Sequence, residues 1–277
     1  MQTKIERLEK KAQHIRELLL KMCCRAGTGH VTSAFSCTEI MVALYYGGLL
    51  RFDPKNPEWA GRDRFILSKG QASVLLYPIL ADLGFYPVKE LDKFNSADGM
   101  FGVHLQHDVP GVEITSGSLG HGIGLATGLA LAFKMDREWP MVYALLGDAE
   151  CYEGSVWEAA MFASHHRLSN LVAIIDRNHM GATNFTEHMV ELEPLADKWR
   201  AFGWDVVSVN GHSFEQLLGA LDGLRSRKVA KPRLVIADTV KGKGIPFMCY
   251  DPLWHACVPK GEKQKMALDA VLKGEEA

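Results

Sequence analysis

The stretch GDAECYEGSVWEAAMFASHHRLSNLVAIIDRNHM, residues 147–180, contains two places where an apolar run stops at a small oxygen-bearing side chain. Met141 to Leu146 runs into Gly147-Asp148, and Leu171 to Ile175 runs into Asp176-Arg177-Asn178. Gly154 to His166, between them, has the spacing of a helix. Short continuous apolar runs joined by a helix predict parallel strands with helices covering both faces. In such sheets ligands collect at the carboxyl ends of the strands. Asp148 and Asn178, thirty positions apart, both fall there. A carboxylate oxygen and an amide oxygen are hard ligands suited to Mg2+ or Ca2+, and Mg2+ commonly completes its shell with water and phosphate oxygens. The pair therefore predicts a metal-bridged diphosphate. Each residue alone is an ordinary turn residue after a strand; the pairing across one helix is more specific. Ala149 follows Asp148 where a turn would favour Gly, so the backbone there must avoid positive φ or carry strain.

Working outward, residues 4–25 place Ile5, Leu8, Ala12, Ile15, Leu18 and Met22 at helical spacing, ended by Gly27-Thr28-Gly29. Ser36-x-x-Glu39 has the form of a capping box for a helix to about Leu50. Strands are expected at 64–67, 141–146, 171–175, 205–209 and 234–237, and helices at 73–83, 117–135, 154–166, 214–225 (started by Ser213) and 263–273. Residues 95–116 read as loop, as does the stretch carrying Pro246, Pro252 and Pro259. Alternating strands and helices predict an α/β fold with a mainly parallel sheet and helices on both faces. No linker divides the chain, so residues 1–277 are expected to form a single domain.

The 277 residues are 47% hydrophobic and 23% charged, ordinary values for a globular chain. A net charge of −2 gives no electrostatic basis for binding nucleic acid or anionic membranes. The charged, amphipathic N-terminal residues lack the apolar core of a signal peptide. The most apolar window, Leu119–Phe133, is too short to span a bilayer. The 6 cysteines form no CxxC pair and read as free thiols, so a cytoplasmic location is expected.

PGVEITSGSLGHGIGLATGLALA, residues 110–132, leads a glycine-rich turn into a helix. Free backbone N–H groups at a helix start bind phosphate, and the same glycines also suit a helix that packs closely on its neighbours.

Five segments together resemble the transketolase family. Asp148-x4-Glu153-Gly154, with Asn178 thirty residues after Asp148, is similar to the thiamine diphosphate motif, which usually begins GDG. GTGHVTSAFSCTEI (27–40) resembles the family's GHPG segment, and RDRFILSKGQASVLLY (62–77) resembles DRFILSKGHA. PGVEITSGSLGHG (110–122) resembles PGVEVTTGPLGQG, and DTVKGKGIPFMCYDPLWHACVP (238–259) resembles TVKGKGVSFMEDNPGWHGKAP. The match runs in order from about residue 10 to 265 and covers the N-terminal, diphosphate-binding part of a full transketolase.

The resemblance implies a thiamine diphosphate-binding fold, with residues 1–277 as one diphosphate-binding domain, and thiamine diphosphate and Mg2+ as cofactors. It assigns Asp148, Asn178 and the Met180 carbonyl to the metal. Gly117, Ser118 and Leu119 would line the cofactor, the Ala149 N–H would approach the diphosphate, and Glu153 would join an acidic network between paired sites. His30, His104 and His255 match histidines around the reacting carbons, and His255 also touches cofactor; His107 competes with His104 for its role. Imidazoles suit proton movement at sugar hydroxyls near neutral pH. Lys241 and Lys243 read equally as diphosphate ligands or as a solvated loop, and His212 as the residue before a helix cap.

Gln71 departs from the family, standing where a histidine is usual; it can hold a hydrogen bond to diphosphate or a substrate oxygen but cannot ionise. His121 replaces a Gln and Ala149 a Gly. The implied reaction is transfer of a two-carbon ketol unit from a ketose or ketose phosphate to an aldose. The implied glutamate that activates the cofactor belongs to the pyrimidine-binding domain, and the resemblance stops short of that domain and of the C-terminal domain. The expectation is therefore an N-terminal subunit whose activity requires a C-terminal partner carrying the pyrimidine-binding domain, in an α2β2 heterotetramer. Two alternatives are a component of a decarboxylating thiamine enzyme, of the 2-oxo acid dehydrogenase or deoxyxylulose-phosphate synthase type, and a non-catalytic scaffold of the same fold.

Overall fold

A computed structural model of the chain describes residues 2–138, 140–223 and 230–275. In chain order it contains helices α1 (Gln2–Ala26), α2 (Val31–Ser36) and α3 (Thr38–Tyr46), strand β1 (Arg64–Leu67), α4 (Ser73–Leu83), α5 (His121–Met135), β2 (Val142–Gly147) and α6 (Gly154–His165). Then follow β3 (Leu171–Arg177), α7 (Thr186–Met189), α8 (Leu195–Ala201), β4 (Asp205–Asn210), α9 (Phe214–Leu221), β5 (Arg233–Asp238) and α10 (Glu262–Lys273). The five strands form one parallel sheet in the order β1-β2-β3-β5-β4.

The apolar runs become strands because alternate residues feed two cores, one on each face. Phe65, Leu67, Tyr143, Leu145, Val172, Ile174 and Val235 pack on the side of α1, α3, α4, α9 and α10. Ile66, Val142, Ala144, Leu146, Ala173, Ile175 and Leu234 pack on the side of α5, α6 and α8. β2 and β3 are buried almost throughout, which explains their continuous apolar reading. The expected α/β class and parallel sheet with helices on both faces are therefore what the structure contains.

Several boundaries differ. Ser36 does not cap a helix: it ends α2, and its hydroxyl donates to Asp176 Oδ2 at 2.6 Å. Glu39 turns instead to the Arg16 guanidinium, and α3 starts at Thr38 and stops at Tyr46, with Gly47 closing on the Ala43 carbonyl. The glycine-rich helix starts at His121 rather than Gly117, because Gly117 and Gly120 take φ of 146° and 80°. Inside that helix, a Cβ on Gly122 would come within 2.5 Å of Ser68 Oγ, so the small residue permits close packing on the end of β1. Ser213 caps α9 by accepting from the Gln216 N–H, and the expected end of that helix at Arg225 lies outside the described residues. Helices α7 and α8 carry no clear periodic signal in the sequence; both are short and follow the segment that leaves β3. No helix among the described residues is long and apolar enough to cross a membrane.

Candidate active site

β2 and β3 run side by side with Gly147 opposite Asp176. The residues that follow therefore leave the carboxyl edge of the sheet together. Asp148 and Asn178 are both buried there and line one recess of about 120 Å³. Gln71, Leu119, Ala149, Met180, Lys241 and His255 line it too. Segments far apart in the chain thus meet at the crevice where a parallel α/β sheet places its ligands.

The strand-end wall is tied down by hydrogen bonds. Asp176 is fully buried and accepts from Ser36, Thr239, Lys69 and the Asn178 side-chain amide. Burial alone would push its carboxyl up, but the Lys69 ammonium and these donors hold it below the usual carboxylate range. Lys69 also donates to the Ser33 carbonyl at 3.0 Å. Burial would discharge Lys69, and Asp176 reverses that and raises its pKa. The amide of Asn178 is oriented by Asp176, and its Oδ1 accepts from the Met180 N–H at 3.1 Å.

Asp148 uses both carboxylate oxygens. Oδ1 accepts from the Ala149 N–H at 2.8 Å, and Oδ2 accepts from the His179 N–H at 2.7 Å and from Arg177 at 3.0 Å. Burial pushes its pKa up, Asp176 adds to this, and Arg177 opposes it. Ala149 takes no positive φ; it opens a short 3-10 turn over 149–152, so replacing Gly costs no strain. The positive φ falls on His179 instead, at 65°. The Ala149 N–H, expected to approach a diphosphate, is already held by Asp148.

These residues fit a magnesium diphosphate. A carboxylate offers about four lone-pair positions and an amide oxygen two. Three hydrogen bonds on Asp148 and one on Asn178 Oδ1 leave each an oxygen lone pair for a cation. Among the described residues no group of three or more His, Cys, Asp or Glu forms a metal cage, so the ligand's own oxygens would have to complete the shell. Lys241, buried in the same recess, donates to the Gly181 carbonyl at 2.7 Å and faces His255 Nδ1 at 3.0 Å. Burial and the neighbouring Lys69 charge lower its pKa to about 8. Lys243 lies apart, lining another cavity beside Arg16 and His212.

The opposite wall carries the histidines. The rings of His30 and His255 are 5.3 Å apart, edge to face, and those of His30 and His104 are 6.1 Å apart. Burial, with His104 and Lys241 nearby, lowers His30 to about 4. Burial, with Lys241 and His30, lowers His255 to about 4 as well. Both are therefore neutral near pH 7, with one donor and one acceptor nitrogen each. The Lys241 ammonium donates to His255 Nδ1, which places the His255 proton on Nε2. His30 Nδ1 is buried and has no hydrogen-bond partner in the structure. His104 Nδ1 donates to the Gly70 carbonyl at 3.3 Å, and His107 is exposed and pairs with Thr115, so the cluster contains His104 and not His107.

Three expected positions are not brought together with the rest. Ser118 is exposed. Gly117 sits behind His104, where a Cβ would come within 3.2 Å of the ring and 2.7 Å separates it from the Cβ position of Gly70. Glu153 is exposed before α6, and the buried acid of this segment is Glu150. Glu150 accepts from Ser68 Oγ and from the Gly120 and Gly147 N–H groups. Its environment pushes its pKa up, mainly by burial. His212 does more than precede a cap: its Nδ1 pairs with Glu39 at 2.9 Å and its Nε2 accepts from the Val240 N–H at 2.9 Å. Lys69, Asp176 and Ser33 belong to the site without a signal of their own in the sequence. Membership of motif segments was their only mark, since burial and pairing arise when distant segments meet.

A parallel α/β sheet whose adjacent strand ends present a hard-oxygen pair, with two lysines and a histidine cluster, has the form of the strand-end ligand sites of doubly wound α/β domains. The family described as "Transketolase, thiamine diphosphate binding domain" matches residues 8–261, and the chain belongs to the transketolase family. It is 39% identical over 268 residues to the 6-deoxy-6-sulfo-D-fructose transketolase subunit SqwG of Clostridium sp. (strain MSTE9), covering 93% of this chain and 97% of that one. It is 37% identical over 267 residues to an apulose-4-phosphate transketolase subunit of Phocaeicola vulgatus, covering 96% of this chain and 94% of that one. Against the transketolase of Pongo abelii the identity is 38% over 258 residues, 92% of this chain but 40% of that protein. The crystal structure of Campylobacter jejuni transketolase superposes with a TM-score of 0.89 at 31% identity, covering 96% of this chain and 43% of that one.

Proposed function

We propose that residues 1–277 are one diphosphate-binding domain and form the thiamine diphosphate- and Mg2+-binding subunit of a two-component transketolase. The observation that carries this reading is the meeting of Asp148 and Asn178 with Lys241, Gln71 and His255 in one recess. Asp148, Asn178 and the Met180 carbonyl would hold Mg2+, and Lys241 would offset diphosphate charge beside it. When bound, thiamine diphosphate supplies the electron sink that ketol transfer requires. The neutral His30 and His255 would hydrogen-bond substrate hydroxyls and move protons there, with His104 completing the row. Gln71 would hold a substrate or diphosphate oxygen without taking up a proton. Exposed Glu153 would act outside this recess, toward a neighbouring site.

Two findings support a C-terminal partner carrying the pyrimidine-binding domain. Relatives covered over 97% and 94% of their length are named as subunits. Full-length transketolases are covered over only 40% to 43%. The named substrates of those relatives are a sulfonated ketose and a sugar phosphate, so both types belong in a substrate screen with the partner present. An α2β2 assembly in the cytoplasm follows from the same reading.

Calorimetric titration of thiamine diphosphate in the presence and absence of Mg2+ tests the assignment. Wild type should bind in a Mg2+-dependent manner, and Asp148→Ala should lose that dependence. Metal-independent binding that Asp148→Ala leaves intact would sink it. Ketose turnover by the purified single chain would remove the partner requirement.

A further inference from the structure

Arg177 follows Asp176 at the end of β3, is 3% exposed, and is no part of the ligand set proposed above. Its guanidinium donates to four side chains. Nη1 reaches Asp148 Oδ2 at 3.0 Å and Thr186 Oγ1 at 2.7 Å. Nη2 reaches Glu187 Oε1 at 2.8 Å and Glu193 Oε1 at 3.1 Å, and Nε reaches the same Glu193 oxygen at 3.2 Å. One planar fork therefore joins the end of β2 to the segment 186–193.

That segment is attached to the recess by further bonds. The Thr186 N–H donates to the His179 carbonyl at 2.9 Å, and the His179 N–H in turn donates to the same Asp148 Oδ2 that Arg177 holds. Glu187 accepts from the backbone N–H groups of Leu192 and Glu193 at 3.3 and 3.4 Å. The Tyr152 hydroxyl bridges the carbonyls of Thr186 and Val190. Asp148 cannot rotate without disturbing Arg177, and Arg177 cannot move without releasing Glu187.

We propose that Arg177 is a positioning residue: it fixes the Asp148 carboxylate for a divalent ion and ties occupancy of that ion to the order of residues 186–193. The proposal rests on the reading of Asp148 as a metal ligand. Charge alone argues the opposite way, because a cation beside Asp148 weakens its attraction for another cation. Orientation wins where the ligand is buried and has few alternatives, and partners outside the ligand set typically contribute about 10- to 100-fold in metal affinity. Lysine keeps the charge but not the fork, and cannot reach four partners at once.

The test is Mn2+ titration of the full chain with saturating thiamine diphosphate, read by the electron paramagnetic resonance of free Mn2+. Wild type, Arg177→Met, Arg177→Lys and Asp148→Ala are compared, and amide hydrogen exchange is followed with and without Mn2+. Arg177→Met should weaken Mn2+ by about tenfold or more, with Arg177→Lys recovering part of the loss. Mn2+ should slow exchange at Leu192 and Glu193 in wild type and not in Arg177→Met. If Arg177→Met does not fold, Arg177→Lys carries both readouts. Unchanged or tighter Mn2+ binding in a folded Arg177 variant, while Asp148→Ala loses the ion, would refute the role of Arg177 alone. Wild-type Mn2+ binding in Asp148→Ala would refute the metal reading, and the proposal would fall with it.

Discussion

Asp176, on the strand-end wall of the recess, accepts four side-chain donors, and Asn178 and Asp148 are each held by backbone N–H groups. On the facing wall, His104 has one long bond to Gly70, His255 is held through Lys241, and His30 Nδ1 has no partner. The first wall is a saturated ionic network, in which removing a member leaves a buried charge exposed to a low dielectric. The second carries no such network, and its neutral His30 and His255 rings can take up or release hydrogen bonds to a substrate. Under the proposed function, the rigid wall would hold the cofactor and the adaptable wall would move protons.

The largest effect that could break this contrast is expected at Lys69. Lys69→Met strands the buried Asp176 carboxylate and should destabilise the chain by roughly 3–5 kcal/mol at neutral pH. Urea unfolding measures it. Asp176 is held below its usual range, so its contribution is present above the unfolded value of about 3.9 and is lost as pH falls below it. The deficit of Lys69→Met should therefore shrink in acid. A deficit that is small at pH 7 would show that the network is not what stiffens this wall.

Lys241 sits where the walls meet and should show a smaller effect. Its pKa near 8 means that the free site loses a cation as pH rises through that value. Thiamine diphosphate affinity should fall above pH 8, and Lys241→Gln should weaken it by about tenfold at pH 7 and flatten the pH profile. A pH slope that survives in Lys241→Gln would assign the titration to another group.

The smallest effect is expected at His30. His30→Gln should leave thiamine diphosphate affinity unchanged. Because the folded pKa is near 4, below the unfolded value of about 6.5, His30 costs stability as pH falls from 6.5 toward 4. His30→Gln should therefore retain more of its thermal stability at pH 5 than wild type. Histidine resonances of His30 and His255 that titrate near 6.5 would place the two rings in an open, solvated wall instead.

The apolar runs preceding Asp148 and Asn178 specified their own strands, because a strand buried on both faces is apolar along most of its length. Spacing also placed the Asp148 and Asn178 side chains at the carboxyl edge, because each closely follows its strand. Motif segments marked His30, His104 and His255, and the structure brings all three into one cluster. Other features had no local signature. Ser36 and Glu39 have the spacing of a capping box, yet each is drawn off by a buried charge from far away, Asp176 and Arg16. Lys69 and Arg177 look in sequence like surface charges, and the sequence left Lys241 open between a diphosphate ligand and a solvated loop; only the closing of distant segments buries all three beside carboxylates and carbonyls. Glu150 and Glu153 sit three positions apart, and their order in the chain could not say which one faces inward. Local periodicity and strand-end chemistry thus came from the sequence, since they depend on near neighbours. Which charges are buried, and with whom, was decided by tertiary packing, since desolvation and pairing are properties of the assembled interior.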